Sequence, residues 1–286
     1  MALRVAILLH ERQRGIERRG YRIWALARRW EEQGIRVDRV WGPRARIDAD
    51  ILIPHIDLTV LPREYGEVLD AHPRVVNRLA RDMSKRRISR NLVREGDGYE
   101  GPVIVKTDRN HGGLGEAGAR SWLHGTLARL APRLARAAPG LFGLGRARYL
   151  DPYRYPVFAS ARDVPAEVFR NAHLVVERLM LEREGARCFV RYYSFFGDRH
   201  VCLRRSGTDP VVRFDSSLEG AVPIPDEIVA ERRRLGLDYG KLDFVMHDGA
   251  PVLLDANPTP ALPRRVDPES RRQLVEGLAD GILGFA

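Results

Sequence analysis

Three lysines stand among 48 basic residues, and each lies in a local pattern that could handle phosphate: Lys85, Lys106 and Lys241. The other basic residues are all arginine. A compact ammonium with three rotatable donors fits between phosphate oxygens where a planar guanidinium fork does not. Lys106 ends the apolar run Val103-Ile104-Val105 and leads into a loop rich in glycine, with Gly112, Gly113 and Gly115. Glycines let successive N–H groups point into one concavity, which suits phosphate oxygens. A Walker loop is excluded, because the Gly240-Lys241 pair is followed by leucine and that motif needs Ser or Thr there. In a dinucleotide fingerprint, Gly113-x-Gly115-x-x-Gly118, six residues separate Lys106 from the first glycine, and no acid occurs between Glu116 and Asp151. That fingerprint belongs directly at a strand end, with an acid about 20 residues on. A strand-end lysine faced by a glycine flap, holding phosphates from two sides, fits the segment better.

The stretch from Tyr239 to Asn257 reads as two strands joined at Asp248-Gly249. Side chains two apart share a strand face, so Lys241 neighbours Asp243, and Asp255 neighbours Asn257. A three-residue connection would set Asp243 opposite Asp255 and Lys241 opposite Asn257. Facing carboxylates repel unless a cation lies between them. Two carboxylates and an amide oxygen make a hard oxygen set suited to Mg2+, which also keeps water and phosphate ligands. A solvated hairpin with its acids in water is the competing reading. Upstream, the apolar run Leu174-Val175-Val176 ends in acids from Glu177 to Glu184. Free backbone groups at a strand end can pair with an adenine edge, and a carboxylate can accept from an exocyclic amine or ribose hydroxyls. Charged residues after a strand otherwise read as loop.

These groups need elements to carry them. Residues 1–78 read as a small α/β unit: a strand at Val5–Leu9, a helix with Ile23, Ala27 and Trp30 on one face and Gly34 at its end, and a strand at Ile35–Trp41. Short apolar runs follow at Ile51–Ile56 and Arg74–Val76, then a basic helical stretch carrying Lys85 that ends before Gly96-Asp97-Gly98. Residues 117–150 hold six arginines and no acid, with Leu123, Leu127, Leu130 and Leu134 at helical spacing. Such a helix could lie on a membrane surface, clasp an anion or pack on its own domain. From Leu174 the chain turns β-rich, with hairpins at Gly197-Asp198 and Asp248-Gly249.

The chain of 286 residues, 44% hydrophobic and 30% charged, is long enough for one large core or two to three smaller ones. The apolar run Val5–Leu9 is too short for a signal-peptide core, and no segment approaches spanning length. The two cysteines, Cys188 and Cys202, flank a hairpin whose register keeps them from facing each other, so they read as free thiols in a reducing cytoplasm. A net charge of +10 favours anionic partners, although arginine-rich composition yields the same charge with none.

In order, these segments resemble the ATP-grasp superfamily over nearly the whole chain, and are similar to D-alanine–D-alanine ligases and ribosomal-protein glutamate ligases. The resemblance implies an α+β / α/β protein: a pre-ATP-grasp α/β domain at 1–78 and an ATP-grasp domain at 79–286. The latter comprises a lid or central subdomain at 79–173 with a basic helical insertion, and a C-terminal subdomain at 174–286 with the metal hairpin. It implies ATP and Mg2+ (or Mn2+) as cofactors. Lys85 and Lys106 match the family's phosphate lysines, Gly112, Gly113 and Gly115 its flap, and Glu177 its hinge acid. Backbone groups of Arg178 and Met180 would meet adenine, Glu184 the ribose, and Asp243, Asp255 and Asn257 the metal. Lys241, or an arginine such as Arg191, Arg204 or Arg205, would stabilise an acyl phosphate and its tetrahedral successor.

The activity implied is carboxylate–amine (or thiol) ligation through an acyl phosphate, on small-molecule or peptide carboxylate and amine substrates, in the cytoplasm, with a homo-oligomer left open. Phosphotransfer without ligation and a basic nucleic-acid or membrane-surface protein are the alternatives, nucleic acid being the less favoured partner. Arg109, His111 and the aromatics Tyr149–Tyr155 receive no role. The chain departs from the family in the short interval between Lys85 and Lys106, in Asp255 where glutamate is usual, and in Pro260-Ala261 where the family has Pro-Gly.

Overall fold

The computed structural model describes residues 2–286 except 14, 19, 121–125, 127–129, 131–142, 213–215 and 263–265. Strand β1 (Arg4–Leu9) is apolar at consecutive positions because both its faces are covered. It pairs in parallel with β2 (Arg36–Trp41) and β3 (Ile51–His55). Helix α1 (Arg22–Glu32) joins β1 to β2 and buries Ile23, Leu26, Ala27 and Trp30 at helical spacing. It is closed by Gly34 at φ +82°, a left-handed position that glycine fills without strain. Val5, Ile7 and Leu9 pack on the α1 side of this sheet. Ala6 and Leu8 pack on the other, with Tyr65 and Leu69 of α2 (Arg63–Ala71). Helix α2 is not among the elements expected from the sequence.

The basic helix expected around Lys85 is a single turn, α3 (Lys85–Ile88). Its continuation is drawn onto a strand edge instead: Arg178 donates its N–H to Asn91 O, and Val93 donates to Val176 O, each at 2.8 Å. Next come β4 (Val103–Thr107), α4 (Leu114–Arg120), β5 (Val157–Phe158), α5 (Ala166–Arg170) and β6 (Leu174–Arg178). The three strands form a small antiparallel sheet in the order β5-β4-β6. The strand expected to open the C-terminal subdomain is therefore hydrogen-bonded into the small sheet. Of the leucines expected to mark the basic helix, Leu123, Leu127 and Leu134 lie outside the described residues, and Leu130 is helical and exposed.

The larger antiparallel sheet has the order β10-β9-β8-β11-β12, from β8 (Arg187–Phe196), β9 (Arg199–Gly207), β10 (Ser217–Ala221), β11 (Tyr239–His247) and β12 (Ala250–Asn257). β7 (Glu182–Glu184) pairs with the start of β8. Helix α6 (Asp226–Arg234) precedes β11 and buries Ile228 with Leu242 and Phe244. The last helix, α7 (Pro268–Ala279), returns to α1, where Trp30 Nε1 donates to Ala279 O at 2.8 Å. Cys188 and Cys202 are buried free thiols that face Gly207 and Tyr193, not each other. Among the described residues no helix is long and apolar enough to cross a membrane.

Candidate functional site

The β11–β12 hairpin turns through two residues, Asp248 at φ +49° and Gly249 at φ +79°, the left-handed pair that a tight hairpin needs. Such a turn alone would not set Asp243 opposite Asp255. Leu254 supplies the difference as an extra residue on β12: Phe244 faces Leu253, while Asp243 faces Asp255 and Lys241 faces Asn257. The expected pairs are formed, by a two-residue turn and a bulge in place of a three-residue connection.

This hairpin floors a cleft of about 530 Å³ that also reaches β4, the segment after β6, and β8. One part of its wall is apolar, including Ile104, Leu179, Leu181, Val190, Val245 and Leu254. Lys85, Lys106, Lys241, Asp243, Asp255 and Asn257 line another part. All three lysines of the chain thus meet in one cavity, each beside a carboxylate. Lys85 is 4% exposed, ion-pairs with Asp255 and donates to Asn110 Oδ1 at 2.9 Å. Lys106 Nζ lies 2.7 Å from Glu177 Oε2. Lys241 Nζ lies 2.6 Å from Asp243 Oδ1 and 4.3 Å from the centroid of the Tyr192 ring, a cation–π arrangement.

Burial pushes the Asp243 carboxyl above its ordinary range, with Asp255 adding to the effect and Lys241 opposing it. Burial acts in the same direction on Asp255, but Lys85, by charge and hydrogen bond, outweighs it and holds that carboxyl low. Burial disfavours the Lys85 ammonium, yet its pairing with Asp255 keeps its pKa above the ordinary value. Tyr155, also on the cleft wall, has its phenol pushed up to about 12 by burial, against the influence of Lys85. The phenol is therefore a neutral donor.

The other residues singled out from sequence divide between the cleft and places outside it. Glu177 is buried behind Lys106, with Oε1 lacking a hydrogen-bond partner among the described residues. Arg178 and Met180 reach the cleft, although the Arg178 N–H is already given to Asn91 O. The glycines do not line it: a Cβ on Gly112 would stand 2.2 Å from Leu150 O, one on Gly113 3.1 Å from Tyr149 Cδ1, and one on Gly115 2.4 Å from Asp57 O. The space that a side chain would take at each of these glycines is filled by the protein itself. Arg191 and Arg204 are also committed elsewhere. Glu182 accepts from Arg191 Nε and Nη2 at 3.1 and 2.9 Å and from Arg204 Nε at 2.9 Å. Arg204 also holds Glu184, which is largely exposed, and stacks 3.6 Å from the Phe189 ring centroid. Arg205 is buried and donates to Ser216 O at 2.6 Å.

Sequence reasoning missed Asn110, which joins three elements. Its side chain accepts from Lys85 and donates to Ala256 O at 3.3 Å, while its N–H donates to Thr59 Oγ1 at 2.9 Å. Its place beside the glycine loop is the one local signal. Thr259, missed as well, holds Asn257 through a 2.8 Å bond from its N–H to Oδ1.

No protein-family model and no curated protein sequence matches the chain. Solved structures do. A D-alanine–D-alanine ligase from Bacillus anthracis, complexed with ATP, is 12% identical with a TM-score of 0.50, over 99% of this chain and 96% of that one. This is an ATP-grasp fold. A RimK-domain ATP-grasp protein from Sphaerobacter thermophilus is 17% identical over 98% of this chain and all of that one, with a TM-score of 0.47. A RiPP-associated ATP-grasp ligase from Chryseobacterium gregarium, in complex with ADP and a leader and core peptide, is 10% identical over 99% and 97%, with a TM-score of 0.47. In this ATP-grasp fold the cleft lies beside both antiparallel sheets, and the lysine–carboxylate pairs line it.

Proposed function

We propose that the chain is an ATP-dependent carboxylate–amine (or thiol) ligase that works through an acyl phosphate and releases ADP and phosphate. One observation carries the reading: every lysine of an arginine-rich chain converges on one cleft, beside two carboxylates that face each other. The apolar wall suits a nucleobase, and the volume lies in the range of nucleotide-sized ligand sites. The Bacillus anthracis ligase that shares the fold was solved with ATP. In this reading the apolar wall takes adenine, Met180 supplies backbone groups to its edge, and Lys85 and Lys106 hold phosphates.

Phosphoryl transfer depends on charge neutralisation and in-line positioning more than on acid–base chemistry, and this lining is composed for that task. In this reading Lys241, beside Asp243, meets negative charge building on the transferred group. Glu177 orients Lys106, and Asn110 orients Lys85.

Mg2+ fits the acid pair. Asp243 Oδ1 is buried without a well-formed hydrogen bond, although Lys241 Nζ is near it, and the donors are hard carboxylate oxygens. Among the described residues no group of three His, Cys, Asp or Glu side chains could hold a metal, so phosphate and water would complete the shell. Bound there, the cation would neutralise phosphate charge. Two buried free thiols accord with a reducing cytoplasm.

The test is incubation with ATP, Mg2+, hydroxylamine and a panel of carboxylic acids. Hydroxamate is expected from at least one acid. A stable phosphorylated product with no hydroxamate from any acid would make the protein a phosphotransferase instead.

A further inference from the structure

The two antiparallel sheets beside the cleft have separate cores. Val103, Val105 and Val176 of the small sheet pack with Leu150 and Val168 in a core of their own. Phe196 and Tyr239 of the large sheet instead share a core with Ile7 and Leu9 of β1 and Trp30 of α1. Apolar packing therefore welds the N-terminal sheet to the large sheet and leaves the small sheet a distinct body. The chain crosses between these bodies at 84–91 and again at 178–182. At the first crossing α3 is held from both sides. Lys85 N–H donates to Asp108 O at 2.9 Å and Arg86 Nη2 to Leu174 O at 2.7 Å. From the other body, Arg234 Nη2 donates to Ile88 O at 3.1 Å, and Ile88 is buried with Leu242 and Phe244.

Away from these crossings, the small-sheet body touches the N-terminal residues Asp57 to Thr59 through the segment 110–116. The middle of that segment is left-handed at three successive residues, His111 at φ +47°, Gly112 at +68° and Gly113 at +79°, and its glycines pack on Tyr149 and Leu150 of their own body. Its two ends converge on one residue. Asn110 N–H donates to Thr59 Oγ1 at 2.9 Å, and Thr59 N–H donates to Glu116 Oε1 at 2.9 Å. Between them the backbone at Gly115 comes so near Asp57 O that a Cβ would stand 2.4 Å from it. Thr59 is 3% exposed, and its carbonyl accepts from Met83 N–H at 2.8 Å. Asn110 and His111 line the cleft, so whatever fixes this segment also fixes part of the cleft wall.

We propose that Thr59 is a catch: its N–H and hydroxyl oxygen hold both ends of the segment 110–116 against the N-terminal sheet, and the cleft opens when the two bonds break together. The small sheet then swings about the crossings at 84–91 and 178–182, and Asn110 gives up its bond to Ala256 O in the same movement. The choice of nucleotide as the molecule that passes the catch rests on the reading given above. The catch itself is a property of the empty protein.

The first measurement accordingly needs no nucleotide. Hydrogen–deuterium exchange is followed on the full chain for wild type, Thr59→Val, Thr59→Ser and Glu116→Ala. Amides within 108–117 should exchange roughly tenfold faster in Thr59→Val and Glu116→Ala, the worth of one hydrogen bond, while β8 and β11 keep their protection. Thr59→Ser should match wild type, because serine retains the accepting oxygen. Equal exchange in Thr59→Val and wild type, or equal acceleration in Thr59→Ser and Thr59→Val, overturns the catch. The second measurement is stopped-flow binding of a fluorescent ATP analogue with Mg2+. A bond made both with and without ligand cancels from the affinity, so association and dissociation should both quicken about tenfold in Thr59→Val while Kd stays within about threefold. A weaker Kd with unchanged association would make the segment a ligand contact and overturn the catch. If wild type binds no nucleotide, the nucleotide reading falls alone, and the exchange comparison still decides for or against Thr59.

Discussion

Lys85 and Asp255 are 170 positions apart in sequence and form an ion pair in the cleft. The Lys85 side chain is almost wholly enclosed, at 5% exposed, while that of Asp255 is 32% exposed. Removing the ammonium therefore leaves a partly wetted carboxylate. Lys85→Met is expected to cost about 1–3 kcal/mol of stability, less than the ~3–5 kcal/mol of a fully buried pair, and to weaken ATP binding at least tenfold. Adding Asp255→Asn should restore much of the stability and none of the binding. Chemical denaturation and calorimetry on the four members of this cycle check both halves. Full recovery of ATP affinity in the double variant would show that Lys85 matters only as a partner of Asp255.

Asn110 is expected to act on the nucleotide through Lys85. Asn110→Ala removes the acceptor at 2.9 Å from Lys85 Nζ and the donor to Ala256 O, leaving its backbone bond to Thr59 in place. The lysine keeps Asp255 and so remains charged, but one of its two anchors is lost. A rise in KM for ATP of about tenfold is expected, consistent with one hydrogen bond to a charged group, with a smaller change in kcat. An unchanged KM would show that Asp255 alone positions Lys85.

Arg191 and Arg204 are expected to matter for stability. Both converge on Glu182, which also accepts from Met246 N at 2.9 Å. The Arg191 side chain is 17% exposed and that of Glu182 8%. Arg191→Ala leaves Glu182 with Arg204 and the backbone N–H, so a loss of about 1–3 kcal/mol is expected. Affinity for ATP at a temperature where the variant is folded should stay within about threefold of wild type. A hundredfold loss of activity without loss of stability would return Arg191 to the reacting centre.

How far the sequence could be read depended on the range over which each feature is set. Lys241, Asp243, Asp255 and Asn257 were legible because strand alternation and one turn place them, and the bulge at Leu254 compensated for the wrong turn length. The fates of Arg191 and Arg204 were not. They face each other on β8 and β9, and the acid that claims them arrives on β7, which pairs at Phe189. Three strands must be in register before that conflict is visible. Gly112 and Gly113 read as open loop glycines because the segment packed against them, Arg148 to Pro152, follows more than 30 residues later. Local spacing reports which groups share a face, and only tertiary packing reports which groups are already taken.

His55 closes β3 as a wholly buried residue, edge-on to Tyr21 and Trp24 at centroid distances of 4.8 and 5.5 Å. Neither of its ring nitrogens has a hydrogen-bond partner among the described residues. Burial lowers its pKa from 6.5 to about 3, so the folded protein holds it neutral while the unfolded chain takes up a proton near 6.5. Between those values the unfolded state binds more protons, and stability must fall as pH falls. Each unit is worth about 1.4 kcal/mol, so acidification from pH 7 to 5 should cost about 2 kcal/mol through this side chain. His55→Leu, which keeps an apolar side chain among the same rings, should remove that part of the slope. Urea midpoints of both proteins across pH 5–7 give the comparison, in which other titrating groups cancel. Parallel profiles would mean that water or a local opening lets His55 take up its proton without unfolding.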